Sequence, residues 1–184
     1  MSGMQTSDLV NKALLFAAQA HNGQLRPGST LPYLVHLSDV ALEVATTLMV
    51  EPGYDPTLAL CCALLHDVLE DTNTNEATLE AHFGPAIVGG VRALTKDPSL
   101  PSDERMIDSL RRIQQQPREV WLVKLADRIS NLSTPPPAHW SPERISAYCT
   151  EAELILTTLS AASPYLTTRL RSRIDQYRNM TGVA

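Results

Sequence analysis

The run "LALCCALLHDVLEDT", from Leu58 to Thr72, places His66, Asp67, Glu70 and Asp71 directly behind an apolar stretch. Leu58 to Leu65 is apolar on every side, the mark of a buried helix. Ionisable groups at the end of such a helix need a partner, because an isolated charge taken out of water is strongly disfavoured or forced neutral. Glu70 lies four residues from His66 and three from Asp67, a spacing that predicts all three on neighbouring parts of one helical face. A divalent cation answers the need: it accepts a neutral imidazole and a carboxylate together, and its charge offsets their desolvation.

Two further candidate ligands are embedded in apolar periodicity. His36 lies one turn before Val40, and Asp127 follows Val120 and Val123 on one face of "VWLVKLADRISN", so both are expected to point inward. Two imidazoles and two carboxylates, with positions left for water and substrate, suit one octahedral Mn²⁺ or Fe²⁺ better than a closed zinc cage. Zn²⁺ stays open as a third choice. Asn131, one turn after Asp127, can hydrogen-bond beside it.

Each residue also has an ordinary reading. A His-Asp pair alone is commonplace, a lone inward histidine is more often a satisfied core residue, and Asp127 has Lys124 and Arg128 as ready ion-pair partners. Lys96 and Arg128 read first as members of a solvated face. His21, His82 and His139 fall near loops or helix ends and read as surface or packing residues; Trp121 and Trp140 read as packing. What favours the cation is the joint pattern, three separate inward positions that all call for the same charge.

The elements that must position these groups are helical, with no sustained strand alternation. "SDLVNKALLFAAQAH" opens the chain as an amphipathic helix, followed by the Gly and Pro loop "NGQLRPGSTLPY" and a helix carrying Val40, Ala41, Val44 and Leu48. Asp55-Pro56 starts the buried helix with a cap and a proline at its first position. "NEATLEAHFG" and "PAIVGGVRALTK" read as two shorter helices, with Asn73 and Glu76 spaced like a capping box. "DERMIDSLRRIQQQ" follows, Pro117 opens "PREVWLVKLADRISNL", and Pro135 to Pro137 break it. Ser141-Pro142 and Ser163-Pro164 start the last two helices. The sum is an all-α fold, one domain over residues 1–184, a bundle of about eight or nine helices.

Composition narrows the class. Hydrophobic content of 43% and charged content of 19% are those of a globular domain. A net charge of −5 draws the chain neither to nucleic acid nor to an anionic membrane, so an anionic ligand must meet a local basic cluster. Three cysteines, two adjacent at Cys61 and Cys62, fit neither a disulfide framework nor a zinc module. With no apolar run near the ~20 residues of a membrane helix and no cleavage context near the start, a cytoplasmic location is expected. Oligomeric state is not legible.

On "AAQAHNGQLR" with "LPYLVH", "ALLHDVLEDT", "HFGPAIVGGVRALTK", "LVKLADRISNL" and "WSPERISAY", the sequence resembles the HD-domain alarmone hydrolases, the hydrolase half of the RelA/SpoT proteins. The likeness is strongest to their small single-domain members of the metazoan SpoT homologue type, and it runs from about Ala17 to Leu159. It implies that His36, His66, Asp67 and Asp127 bind one Mn²⁺, and that Glu70 and Asp71 position or activate the attacking water. It implies too that Arg26, Tyr33, Asn131, Arg144 and Tyr148 contact the nucleotide. Lys124, with Lys96 and Arg128, is a candidate by charge for the phosphates. One departure is plain: the family usually follows the arginine with lysine, whereas Pro27 follows Arg26 here, which leaves guanine against adenine open.

The expected activity is removal of the 3′-pyrophosphate from a small-molecule nucleotide such as ppGpp, pppGpp or ppApp. Two alternatives stand beside it. One is a nucleotidase of the same scaffold acting on deoxynucleotides, against which Glu70-Asp71 speaks; the other is a non-catalytic alarmone-binding module, whose signature would be a lost ligand or acid.

Overall fold

The computed structural model describes residues 6–183. Among these residues the chain forms α1 (Thr6–Ala20), α2 (Leu34–Val50), α3 (Pro56–Leu65), the single turn α4 (Val68–Asp71), α5 (Glu76–Leu94), α6 (Arg105–Ile113), α7 (Arg118–Asn131), α8 (Pro142–Leu159) and α9 (Pro164–Thr181). Nothing more extended than an isolated bridge, Leu25 to Pro32, joins them. The all-α expectation holds, and among the described residues no helix is long and apolar enough to cross a membrane.

The helix starts follow their capping chemistry. Asp55 Oδ1 accepts from the amides of Thr57 and Leu58 at 2.8 and 3.2 Å, and Ser163 Oγ accepts from Leu166 N at 3.0 Å, each just ahead of a proline that lacks the amide a first turn leaves orphaned. Ser141 does the same for α8. One expected cap moves: Asn75, not Asn73, takes the extended backbone of a cap, and its Oδ1 accepts from Thr78 N at 2.9 Å. Asn73 instead lies in a turn tied by the Thr72 and Thr74 hydroxyls, 3.0 Å apart. The two helices expected on either side of residue 84 are present as a bent α5, because Gly84 sits at φ +79° and Pro85 cannot continue the ladder.

Tertiary order centres on α3. Ala59 and every residue from Cys61 to Leu65 are buried, and α3 packs against α1, α2, α5 and α7. A helix hydrophobic all round can lie only in such a position. Its start is pinned by Glu119 of α7, whose Oε1 accepts from Asp55 N at 2.6 Å. Helices α2 and α7 also pack against each other, so α2, α3 and α7 form a three-sided core. Close approach there depends on Gly90 of α5: a Cβ would lie 2.7 Å from Cys62 Sγ and 2.9 Å from Val120 Cγ2. Gly90→Val is therefore expected to lower stability by about 1–3 kcal/mol through overpacking. A denaturant midpoint equal to that of the parent chain would contradict this packing.

Candidate metal centre

The helix of the His-Asp pair ends where chemistry begins. α3 stops at Leu65, and Asp67 adopts φ −101°, ψ −1°, at the edge of the helical region, before α4 resumes at Val68. His66, Asp67 and Glu70 therefore do not share one continuous helical face, as their spacing predicted. The break swings the Asp67 carboxylate beside the His66 ring, with Nε2 to Oδ2 at 2.9 Å.

The other two candidates arrive from α2 and α7. His36 Nε2 lies 3.6 Å from Asp67 Oδ2 and 3.5 Å from Asp127 Oδ1, and His66 Nε2 lies 3.7 Å from that same Asp127 oxygen. His36, His66 and Asp127 are buried. Ligand atoms of His36, His66 and Asp67 all fall within 4.8 Å of one another, a group that could hold a metal ion. Two observations fit a cation at their centre. His66 Nδ1 meets the Ala63 carbonyl at 2.8 Å, which gives Nδ1 the proton and leaves Nε2 as acceptor; and Nε2 is a buried nitrogen without a hydrogen-bond partner.

Around the four side chains stands a layer that holds them. Asp127 Oδ1 accepts from Asn131 Nδ2 at 2.6 Å and Oδ2 from Lys124 Nζ at 3.0 Å. The Tyr33 hydroxyl donates to Asp67 Oδ2 at 2.6 Å and reaches Asp71 Oδ2 at 3.3 Å. Glu70 is gripped by one residue: Lys96 donates from Nζ to Oε1 at 2.8 Å and from its backbone amide to Oε2 at 2.9 Å.

Against this geometry the comparisons are decisive. The HD-domain family description matches residues 13–163. This chain belongs to the HD-domain family. The chain is 35% identical over 167 residues to the Xenopus tropicalis guanosine-3′,5′-bis(diphosphate) 3′-pyrophosphohydrolase MESH1, covering 88% of this chain and 90% of that one. It is 32% identical to the human MESH1 over 95% of this chain and 97% of that one. A solved structure described as a metazoan ortholog of SpoT that hydrolyzes ppGpp superimposes with a TM-score of 0.76 at 29% identity, covering 99% of this chain and 100% of the other. A Listeria monocytogenes protein shares the fold at a TM-score of 0.61 and 19% identity, covering 81% of this chain and 99% of the other.

Within this HD domain the expected substrate contacts divide into two groups. Arg26, Asn131 and Tyr148 line a cavity of about 120 Å³, together with Pro27, Trp140 and the Pro135 to Pro137 run. Arg144 is exposed at its edge, its guanidinium 4.6 Å from the centre of the Trp140 ring. Lys124 and Tyr33 do not reach this cavity; their polar ends are occupied by Asp127 and Asp67. Trp140, read as packing, stands edge-on to Tyr148 at 5.1 Å and forms part of the cavity wall.

Lys96 and Arg128 correct the solvated-face reading. Lys96 binds Glu70, while Arg128 is 3% exposed, pairs with Glu151 and lies 4.1 Å over the Tyr148 ring. His21 is a packing residue, stacked on Tyr33 at 4.8 Å. Ser130, within hydrogen-bond reach of His36 Nδ1 at 3.1 Å, escaped notice in the sequence, although it lies three residues after Asp127 on an inward-facing helix.

The charges are strongly coupled. Burial pulls the His66 imidazole down, but the negative charges of Asp67 and Asp127 beside it override burial and push the ring up to about 10. His36 is raised likewise, burial being outweighed by hydrogen bonds to Asp127 and Asp67. Burial would raise Asp67 and Asp127, yet the His66 charge holds Asp67, and the Lys124 charge with both imidazoles holds Asp127, well below the carboxylate range. Burial and the Asp67 charge keep the Tyr33 hydroxyl protonated as a donor.

In the metal-free chain, protons therefore stand in for the cation. The sign follows from the raised His66 value: its contribution to stability is complete below the ordinary 6.5 and is lost as pH climbs through about 10. Metal binding must expel such protons, so apparent affinity for Mn²⁺ should rise about tenfold per pH unit for each proton released. Calorimetry at pH 7 in buffers of different ionisation enthalpy should show at least one proton leaving per ion; a buffer-independent heat would contradict the coupling.

Proposed function

We propose that this HD-domain enzyme hydrolyses the 3′-pyrophosphate of guanosine-3′,5′-bis(diphosphate)-type nucleotides, with one Mn²⁺ held by His36, His66, Asp67 and Asp127. The observation that carries the reading is the convergence of these four side chains from α2, the α3–α4 break and α7, with Glu70 one turn beyond on α4. The names of the MESH1 relatives and of the metazoan SpoT ortholog support the substrate class. An N₂O₂ set with open positions favours Mn²⁺ or Fe²⁺, with Zn²⁺ next.

When bound, the ion supplies Lewis acidity and lowers the pKa of water it holds. The chain's own residues do the rest. Glu70, oriented at both oxygens by Lys96, takes the proton of the attacking water. Water oxygen joins the phosphorus attached to the ribose 3′ oxygen, the bond to that oxygen breaks as the oxygen takes up a proton to become the 3′ hydroxyl, and pyrophosphate leaves a 5′-phosphorylated nucleoside. Asp71, raised by burial and by the nearby charges of Asp67 and Glu70, is a neighbouring proton acceptor that Tyr33 keeps in register. Lys96, whose ammonium is paired with Glu70, is the cation we assign to the substrate phosphate. We assign the base and ribose to the cavity lined by Arg26, Asn131, Trp140 and Tyr148, with Arg144 exposed beside Trp140.

Turnover of ppGpp and ppApp by the Mn²⁺-loaded protein, with products resolved by chromatography, should show pyrophosphate and the 5′-phosphorylated nucleoside. Phosphate released from a deoxynucleoside monophosphate, with both alarmones intact, would assign a nucleotidase instead. Glu70→Gln should keep Mn²⁺ and lose roughly 10²- to 10⁴-fold in kcat; a fully active variant would remove Glu70 from the proton step.

A further inference from the structure

Two imidazoles that face one cation must both present a bare Nε2, so each Nδ1 must carry the proton and find an acceptor. The two rings solve this differently. His66 uses a main-chain oxygen, the Ala63 carbonyl. His36 has only a side chain, the Ser130 hydroxyl, 3.1 Å from Nδ1.

Ser130 is itself held. It is 2% exposed, and Arg26 Nη2 donates to its carbonyl at 2.7 Å and lies 3.3 Å from its Oγ. Arg26 Nη1 donates to Asp39 Oδ2 at 2.9 Å. A guanidinium has donors and no acceptor, so Ser130 Oγ must act as acceptor toward Arg26 and keeps a lone pair for His36 Nδ1–H. The chain of contacts is therefore directional: Asp39 orients Arg26, Arg26 orients Ser130, and Ser130 fixes the ring.

Arg26 is equally constrained from the loop side. Its amide donates to Leu31 O at 2.9 Å, its carbonyl accepts from Ser29 N at 3.0 Å, and the next residue is Pro27. Arg26 is 7% exposed, and although the residue lines the cavity, both terminal nitrogens of its guanidinium are committed to Asp39 and Ser130.

We propose that Arg26 is a positioning residue for the cation ligand His36, acting through Ser130 and steered by Asp39, in place of the nucleotide contact that the family resemblance implies for it. This rests on the reading of the four side chains as a metal centre. It also leaves nucleotide recognition to Trp140, Tyr148 and Arg144.

The test is calorimetric Mn²⁺ binding to the full chain, independent of turnover, with KM for the nucleotide measured beside it. Ser130→Ala should weaken Mn²⁺ about 10- to 100-fold, the usual cost of losing the partner of a ligating imidazole. Arg26→Met should weaken Mn²⁺ in the same direction, and should add less in the Ser130→Ala background than alone, because both act on one chain of contacts. Asp39→Asn, a change at a half-exposed carboxylate, supplies a gentler variant should Arg26→Met fail to fold, and is expected to weaken Mn²⁺ a few-fold. Wild-type Mn²⁺ affinity in Ser130→Ala, or in Arg26→Met with a raised nucleotide KM, would overturn the proposal and return Arg26 to the substrate. A parent chain that takes up no Mn²⁺ would instead sink the metal reading and this inference with it.

Discussion

A protein interior tolerates two carboxylates and two imidazoles within 4 Å only if a positive charge sits among them. That constraint organises the rest of the molecule. It explains why α3 breaks at Asp67 when nothing in its apolar run demands a break: a continuous helix would carry the carboxylate away from the His66 ring. It explains why Asp127 receives an ammonium and an amide from its own helix: Lys124 neutralises Oδ2, and Asn131 aims Oδ1, the oxygen that faces both imidazoles. It explains too why a tyrosine hydroxyl, a pure donor in this setting, is placed between Asp67 and Asp71.

Around the cluster, positive charge is graded by burial. Lys124 is buried against Asp127, Lys96 is part-buried against Glu70, and Arg144 is exposed beside Trp140. On the proposed reading, a polyanionic substrate passes the exposed Arg144 before it meets Lys96, which is paired with Glu70. A chain of net charge −5 acts on an anion through local arrangement alone. The same logic gives Arg128 a structural task. Buried between Glu151 and the Tyr148 ring, it ties α7, which carries Asp127, to α8, which carries Tyr148.

Much of this was legible from sequence where the signal is local or periodic. His36 and Asp127 share inward faces with valines that are fully buried, and the proline-led caps at residues 55, 141 and 163 fall where their chemistry places them. Signals failed where two local spellings compete or where the partner is remote. "TNTNE" contains two asparagines able to cap, and only the turn made by Thr72 and Thr74 selects the second. "LLHDVLED" contains no glycine or proline to announce the break at His66 and Asp67. Lys96 meets Glu70 across 26 residues and Arg26 meets Ser130 across 104, separations at which composition carries no information about pairing. Trp140 read as packing because aromatic residues usually are; its place in a cavity wall depends on how the proline run 135–137 turns the chain.

The central claim, that a cation is what makes this cluster stable, is tested most directly by thermal unfolding of the chelated protein against the protein with Mn²⁺. At a free concentration about 100 times the dissociation constant, binding to the folded state alone adds about 2.7 kcal/mol, which for a domain of this size raises the midpoint by roughly 5–10 °C. The account predicts that rise in the parent chain and its loss in Asp127→Asn. Superimposable melting curves with and without Mn²⁺ in the parent chain would contradict it.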